Sequence, residues 1–166
     1  MRSIKQVTEQ RDIHAVAELA NEIWNEYFVY IIGQPQVDYM LRHFQSVPAI
    51  TAQLESGQEY YLLKIDSKPV AYMSLISDSP KDKMMISKIY VKQAIRGSGL
   101  GNYLLDFVKH QCKKKQLHSI WLTVNRNNQS TIDWYLRRGF KVTGEIKKDI
   151  GAGYIMDDFT MEMAIG

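Results

Sequence analysis

Apolar residues recur at three- and four-residue spacing near the start of the chain and as β-rich runs after Gly57, so helices come first and strands dominate later. Ile13, Val16, Ala17, Ala20, Ile23, Trp24, Tyr27 and Ile31 form one stripe on a predicted helix, with Thr8 as its expected N-cap and Asp12 in the first turn. Ser3 to Val7, just before it, reads as a short edge strand. Pro35 opens a second helix carrying Val37, Met40, Leu41 and Phe44, and Pro48 a short third that ends at Gly57. Tyr60 to Ile65 and Val70 to Ile76 are strands joined by the turn Asp66-Ser67-Lys68-Pro69, and Met84 to Val91 is a third strand. Leu100, Leu104, Phe107, Val108 and Cys112 trace a helix ending in Lys113, Lys114 and Lys115, where positive charge suits the dipole. Ser119 to Val124 is a strand, Ser130 to Arg138 a helix closed by Gly139, and Phe140 to Ile146 and Gly153 to Met163 the last two strands. Such an order, with hairpins as well as crossovers, implies a mixed sheet with helices on it, an α/β (α+β) fold.

Composition narrows the class. The chain of 166 residues reads as one domain, 1–166, and 45% apolar with 23% charged residues excludes a largely disordered chain. No apolar run reaches the roughly 18 residues of a membrane span, and the start Met1-Arg-Ser-Ile-Lys-Gln lacks a signal peptide's apolar stretch, so the expected location is cytoplasmic. The lone Cys112 excludes an internal disulfide framework and multi-thiolate zinc, and it falls on an apolar stripe. His14, His43, His110 and His118 are scattered, so no metal site is expected. A net charge of +3, from 21 Lys and Arg against 18 Asp and Glu, is too small to argue for nucleic acid but suits a small polyanion.

The stretch Ile89-Tyr90-Val91-Lys92-Gln93-Ala94-Ile95-Arg96-Gly97-Ser98-Gly99-Leu100-Gly101 runs from a strand into a helix through three glycines. Glycine permits positive φ and close approach of a ligand to the main chain, while first-turn N–H groups point outward, so phosphate is the usual guest. A plain connector is the other reading of these residues. A P-loop would need Lys and Ser or Thr after the last glycine, where Asn102-Tyr103 stand, and a dinucleotide fingerprint would open an early βαβ unit.

Arg96, Gly99 and Gly101 after a strand match the acyl-CoA signature of the GNAT superfamily of N-acetyltransferases, which this chain resembles over nearly its whole length. Asn128, Tyr135, Gly139 and Phe140 resemble the family's second motif, and Asp158-Phe159-Thr160-Met161-Glu162 its final strand. The resemblance implies a single mixed sheet of about six to seven strands flanked by helices, splayed between the strands ending at Val91 and Val124. It implies acetyl-CoA as co-substrate: main-chain groups of Ile89, Tyr90 and Val91 pairing with the pantetheine amides, N–H groups of Arg96, Gly97, Ser98, Gly99, Leu100, Gly101 and Asn102 around the pyrophosphate, and the Asn128 amide on the cofactor. Lys92, Arg96, Arg126 and Arg138 are open between phosphate partners and solvated surface charges.

The activity so implied is transfer of acetyl to a primary amine of a small molecule, polyamine-like or another amino compound, by direct attack. A protein or peptide amine and a non-catalytic acyl-CoA sensor are the alternatives. An alkylammonium with pKa near ~10.4 is neutral in less than about one molecule in 10³ at pH 7, so a base is needed. Tyr135, at the motif position, is the expected acid for the leaving thiolate, though it also lies on a packing stripe. Met84 to Val91 offers only Ser87 and Lys88 where some relatives carry Glu, which leaves Glu26, Asp157 or Asp158 to act through water. Strand parity puts Asp157 with Ile155, Phe159 and Met161, an odd place for an unpaired charge. For the acceptor, Glu26, Tyr27, Tyr30 and Asp157 are the expected contacts, with Phe28, Tyr39 and Tyr154 completing an aromatic pocket for a cation. Neither nucleic acid nor membrane is an expected partner; a second copy of the chain is a candidate one.

Overall fold

The computed structural model describes residues 1–165. In chain order its elements are β1 (Arg2–Gln6), α1 (Gln10–Ile23), a π-helical turn (Trp24–Phe28), α2 (Val29–Ile32), α3 (Gln34–Phe44), α4 (Val47–Glu55), β2 (Glu59–Ile65), β3 (Lys68–Ser77), β4 (Lys83–Val91), a 3₁₀ turn (Gln93–Ile95), α5 (Leu100–Lys114), β5 (Ser119–Asn125), α6 (Gln129–Arg137), β6 (Lys141–Gly151) and β7 (Tyr154–Ala164). The strands are hydrogen-bonded in the order β1-β2-β3-β4-β5-β7-β6 in one mixed sheet, and β1 and β6 are its edges. No described helix is long and apolar enough to cross a membrane.

The chain divides into two compact units. The first comprises Met1–Ile76 and Lys88–Phe107. Here β1 pairs antiparallel with β2 from Arg2↔Ile65 to Gln6↔Tyr61, and β2 with β3 from Glu59↔Leu75 to Ile65↔Lys68. Asp66 and Ser67 take φ of 49° and 70°, the two left-handed residues that a tight hairpin with right-twisted strands requires. The register shifts between Leu63 and Lys64, beside Pro69, which has no N–H to give to a ladder.

Helix α1 starts at Gln10 after Glu9, with no side-chain cap, so Thr8 is not the N-cap. A missing cap costs about 0.5–2 kcal/mol. Burial of Ile13, Val16, Leu19 and Ile23 outweighs it, at about 1.5–3 kcal/mol for each large apolar side chain. The predicted long helix is interrupted by the π turn, which inserts an extra residue into the spiral and rotates the stripe, so Tyr27 and Ile31 are only half-buried.

The second unit comprises Ser77–Ser87 and the chain from Val108 onward. β4 pairs parallel with β5 from Lys83↔Ser119 to Ile86↔Leu122. That register stops there although β4 continues to Val91 and β5 to Asn125, at the level where the splay was expected. β5 pairs antiparallel with β7 from Ser119↔Ala164 to Asn125↔Asp158, and β7 with β6 from Lys141↔Glu162 to Gly151↔Tyr154. β6 runs well past its expected end at Ile146 because it is exposed nearly throughout, so no apolar alternation marks Lys147 to Gly151 as strand. Cys112 is buried, its Sγ 3.5 Å from the Leu117 carbonyl and 3.7 Å from that of Ser119, a packing residue.

Candidate active site

In the first unit, β4 leads through the 3₁₀ turn into a glycine turn whose residues Arg96, Gly97, Ser98 and Gly99 are exposed. Gly97 and Gly99 both sit at φ +83°, with nothing within 4 Å of where a Cβ would lie, so conformation and not crowding demands glycine. The Ser98 hydroxyl donates to the Ile95 carbonyl at 2.5 Å and Arg2 Nη2 to the Ser98 carbonyl at 3.2 Å, which orients the turn. The N–H of Tyr103 reaches the Gly99 carbonyl at 3.1 Å, and the N–H groups of Leu100, Gly101 and Asn102 precede that first bond of the α5 ladder. Leu100 itself is buried and anchors the helix start.

The cations expected near the phosphates are already engaged. Arg96 lies over the Tyr27 ring at 4.2 Å and its Nε donates to the Val91 carbonyl at 3.2 Å, while Lys92 Nζ is 3.1 Å from Glu22. Arg126 and Arg138 belong to the second unit: Arg126 pairs with Glu145 and Asp157, and Arg138 stacks at 3.7 Å over Trp134.

Two of the expected pocket aromatics, Tyr27 and Phe28, pack on one another. Phe28 packs at 4.3 Å on Trp24, 5.0 Å on Tyr27 and 5.5 Å on Tyr90, and Trp24 Nε1 donates to the Tyr72 hydroxyl at 3.2 Å. Tyr39 stacks instead on His43, at 4.2 Å. Tyr30 is 87% exposed and Glu26 exposed, so neither is drawn into this cluster. The sequence signal missed here is the π turn, since the stripe alone does not show which way Trp24 to Phe28 wind.

Lys88 is buried on β4, on the face of Tyr90. Its Nζ donates to the Phe44 carbonyl at 2.5 Å, to Gln53 Oε1 at 3.0 Å and to the Tyr60 hydroxyl at 2.5 Å, and Tyr60 donates to Gln53. Burial pushes the ammonium down to about 7, against three acceptors that hold its protons. Lys88 thereby ties the end of α3 and the last turn of α4 to β2 and β4.

In the second unit, β5 ends in an Asx turn, the Asn127 N–H donating to Asn125 Oδ1 at 2.9 Å, and this turn aims the start of α6. Asn128 is buried at that start, makes no side-chain cap, and accepts the Ile132 N–H at 3.1 Å through its carbonyl. Tyr135 is buried at 4% exposure, its ring edge-on to Trp134 and Phe140 at 5.0 Å each.

Asp157 is not the unpaired charge that parity suggested. Its carboxylate lies 2.9 Å from Arg126 Nη2, which is also 2.9 Å from Glu145, and the Arg126 guanidinium covers the Phe159 ring at 4.6 Å. Its neighbour Asp158 is 3% exposed; Oδ1 of each lacks a hydrogen-bond partner, but that of Asp157 lies in the ion pair with Arg126, whereas that of Asp158 has none. Desolvation pushes the Asp158 carboxyl up to about 6; a hydrogen bond from Thr123 opposes this and the Asp157 charge adds to it. Among the described residues no group of three or more His, Cys, Asp or Glu side chains could hold a metal ion.

The chain matches the Acetyltransferase (GNAT) family over residues 16–140 and belongs to it. It is 26% identical over 89 residues to an uncharacterized N-acetyltransferase of Lactobacillus delbrueckii subsp. lactis, a match covering 50% of this chain and 51% of that protein, so the chain spans about half the length of that curated relative. Among solved structures it resembles the PaiA N-acetyltransferase of Thermoplasma acidophilum in complex with coenzyme A, with a TM-score of 0.78, 22% identity and coverage of 98% of this chain and 99% of that one. It also resembles the ribosomal-protein-S18-alanine N-acetyltransferase of Escherichia coli, with a TM-score of 0.73, 17% identity and coverage of 99% and 94%.

Proposed function

We propose that the protein transfers an acetyl group from acetyl-CoA to the primary amine of a small molecule, a polyamine or a similar amino compound. The observation that carries this reading is the glycine turn, with two residues at φ +83° and an exposed backbone entering α5 from a strand whose parallel pairing has already ended. An exposed turn of that conformation fits a pyrophosphate, which is bound by N–H groups and needs no side chain beneath it. Arg96, Gly97, Ser98, Gly99, Leu100, Gly101 and Asn102 hold the pyrophosphate, main-chain groups of Ile89, Tyr90 and Val91 take the pantetheine amides, and Asn128 contacts the same molecule. Acetyl-CoA supplies the activated thioester. Tyr135 donates a proton to the departing sulfur, and a β4 N–H near Ile89 or Val91 stabilises negative charge on the acyl oxygen.

On the acceptor side, Glu26 and Tyr30 are exposed, whereas Tyr27 carries Arg96 and Asp157 carries Arg126. A cation binding at Tyr27 competes with Arg96, and one binding at Asp157 competes with Arg126, while Glu26 and Tyr30 are exposed. The 87% exposure of Tyr30 also suits a wider acceptor such as a protein α-amine, the second reading. Incubation with acetyl-CoA and a panel of polyamines, amino acids, aminoglycosides and free-α-amine peptides, followed by free thiol, separates them. Thiol release with small amines is expected; release with peptides alone moves the acceptor to protein, and acetyl-CoA binding without turnover makes the domain a sensor.

A further inference from the structure

We propose that Asp158 is the group that takes the proton from the acceptor amine, an assignment that rests on the acetyltransferase reading and completes it. Three observations lead there. The carboxylate is 3% exposed, yet Oδ1 has no hydrogen-bond partner, and a buried oxygen left so is costly unless a ligand donor completes it. Its position is the second. Asp158 stands opposite Asn125, the last residue of β5, on the face that Thr123 shares by parity. Thr123 is the first β5 residue after Leu122, where the parallel register with β4 stops. The acid is therefore on the strand next to the place where β5 loses a hydrogen-bonding neighbour. The third is that no cation among the described residues forms an ion pair with it: Arg126 pairs with Asp157 and Glu145, and Lys83 with Glu162 at 3.0 Å.

The groups facing Asp158 are few. On β5 they are the Thr123 hydroxyl, which donates to the carboxyl, and Asn125; on β6 it is Ile146, uncharged. On β7 itself Asp157 adjoins it, and Glu162 lies farther along the same face, paired with Lys83. An ammonium entering here is drawn by an ionised Asp158 and gives it one N–H proton. The nitrogen lone pair so released forms the bond to the acetyl carbon as the carbon–sulfur bond breaks. Sulfur takes a proton from Tyr135, which is replenished by the second proton of the attacking nitrogen. Asp158 then returns its proton to solvent, so one proton is released per acetyl transferred. A carboxyl held near 6 is ionised at pH 7 and retains basicity that an exposed Asp lacks.

The test is the pH profile of kcat/KM for the best amine, measured on wild type, Asp158→Asn and Thr123→Val, with acetyl-CoA affinity measured beside it. Wild type should lose activity in acid with an apparent pKa near 6. Asp158→Asn should lose roughly 10²- to 10³-fold in kcat/KM, lose the acidic limb, and keep its affinity for acetyl-CoA. Thr123→Val removes the hydrogen bond that favours the ionised carboxyl and should move the limb to higher pH, a change that a structural role for Asp158 does not produce. If Asp158→Asn does not fold, the Thr123→Val limb decides alone. An Asp158→Asn enzyme within threefold of wild type, an acidic limb persisting in it, or an unmoved limb in Thr123→Val overturns the assignment while leaving the acetyltransferase reading intact. Absence of turnover by wild type on every amine removes both.

Discussion

Lys88 and Asp158 are two buried charges, 7% and 3% exposed, and desolvation pushes both toward their neutral forms. Their surroundings differ. Lys88 has three N–H donors and three protein acceptors, so nothing more is needed to complete it. Asp158 has an oxygen with no hydrogen-bond partner. A buried charge whose hydrogen bonds all close within the chain is a tie between elements, while one left open stores affinity for something that arrives. The same contrast runs through the rest of the candidate site. Arg96, Lys92 and Arg126, which charge counting would offer to a polyanion, are already held by Tyr27, Glu22 and Asp157.

The sharpest attempt to break this contrast, beyond the pH profile of Asp158→Asn, is Tyr135→Phe. Loss of the phenolic proton should lower kcat by roughly one to three orders of magnitude, with acetyl-CoA still bound; an unchanged kcat would return Tyr135 to the core as a packing residue. Lys88→Met comes next. It leaves the Phe44 carbonyl and the Tyr60–Gln53 pair without their central donor and should cost about 1–3 kcal/mol in denaturant unfolding. A full-stability Lys88→Met with crippled kcat would place Lys88 among the reacting groups. Gly99→Ala forces an L side chain to φ +83°, at about 1–2 kcal/mol, and should weaken acetyl-CoA about tenfold in a binding titration with the fold intact. Unchanged affinity would make the turn a connector.

The smallest effects lie in the pH dependence of stability, and the two charges carry opposite signs. Asp158 is raised from 3.8 to about 6, so the folded chain binds the extra proton between those values, and its contribution is present below about 4 and lost as pH rises through 6. Lys88 is lowered from 10.5 to about 7, so the unfolded chain binds the extra proton, and its contribution is present above 10.5 and lost as pH falls through 7. Unfolding free energies from pH 4 to 10 should therefore show wild type losing stability relative to Asp158→Asn up to pH 6, and gaining it relative to Lys88→Met above pH 7. Parallel curves would mean that neither group titrates as its burial requires.

Much of the frame is legible in the residues. The spacing of Val37 and Met40, the Asp66-Ser67 turn, and the glycines after Val91 each specify a local conformation, because helical stripe, left-handed turn and strand-to-helix corner depend on near neighbours in the chain. Glu9 in place of Thr8 at the start of α1 shows the limit of that logic, since core burial overrides a weak capping preference. The long extension of β6 shows another, because an exposed edge strand has no buried face to print a period into the sequence.

Family membership, the glycine turn and the order of elements follow from local chemistry, since motif spacing and periodicity are short-range properties. Which charges are tied and which are open does not. Asp157 and Asp158 are adjacent and chemically identical, and strand parity does not show that an arginine reaches the first of them. Arg126, brought against β7 by the turn after β5, forms an ion pair with Asp157, while Asp158 faces Thr123 and Asn125 with an oxygen that has neither an ion pair nor a hydrogen-bond partner. The pairing of a carboxylate depends on what the fold brings within about 3 Å of it, and that distance is set by strands far apart in the chain.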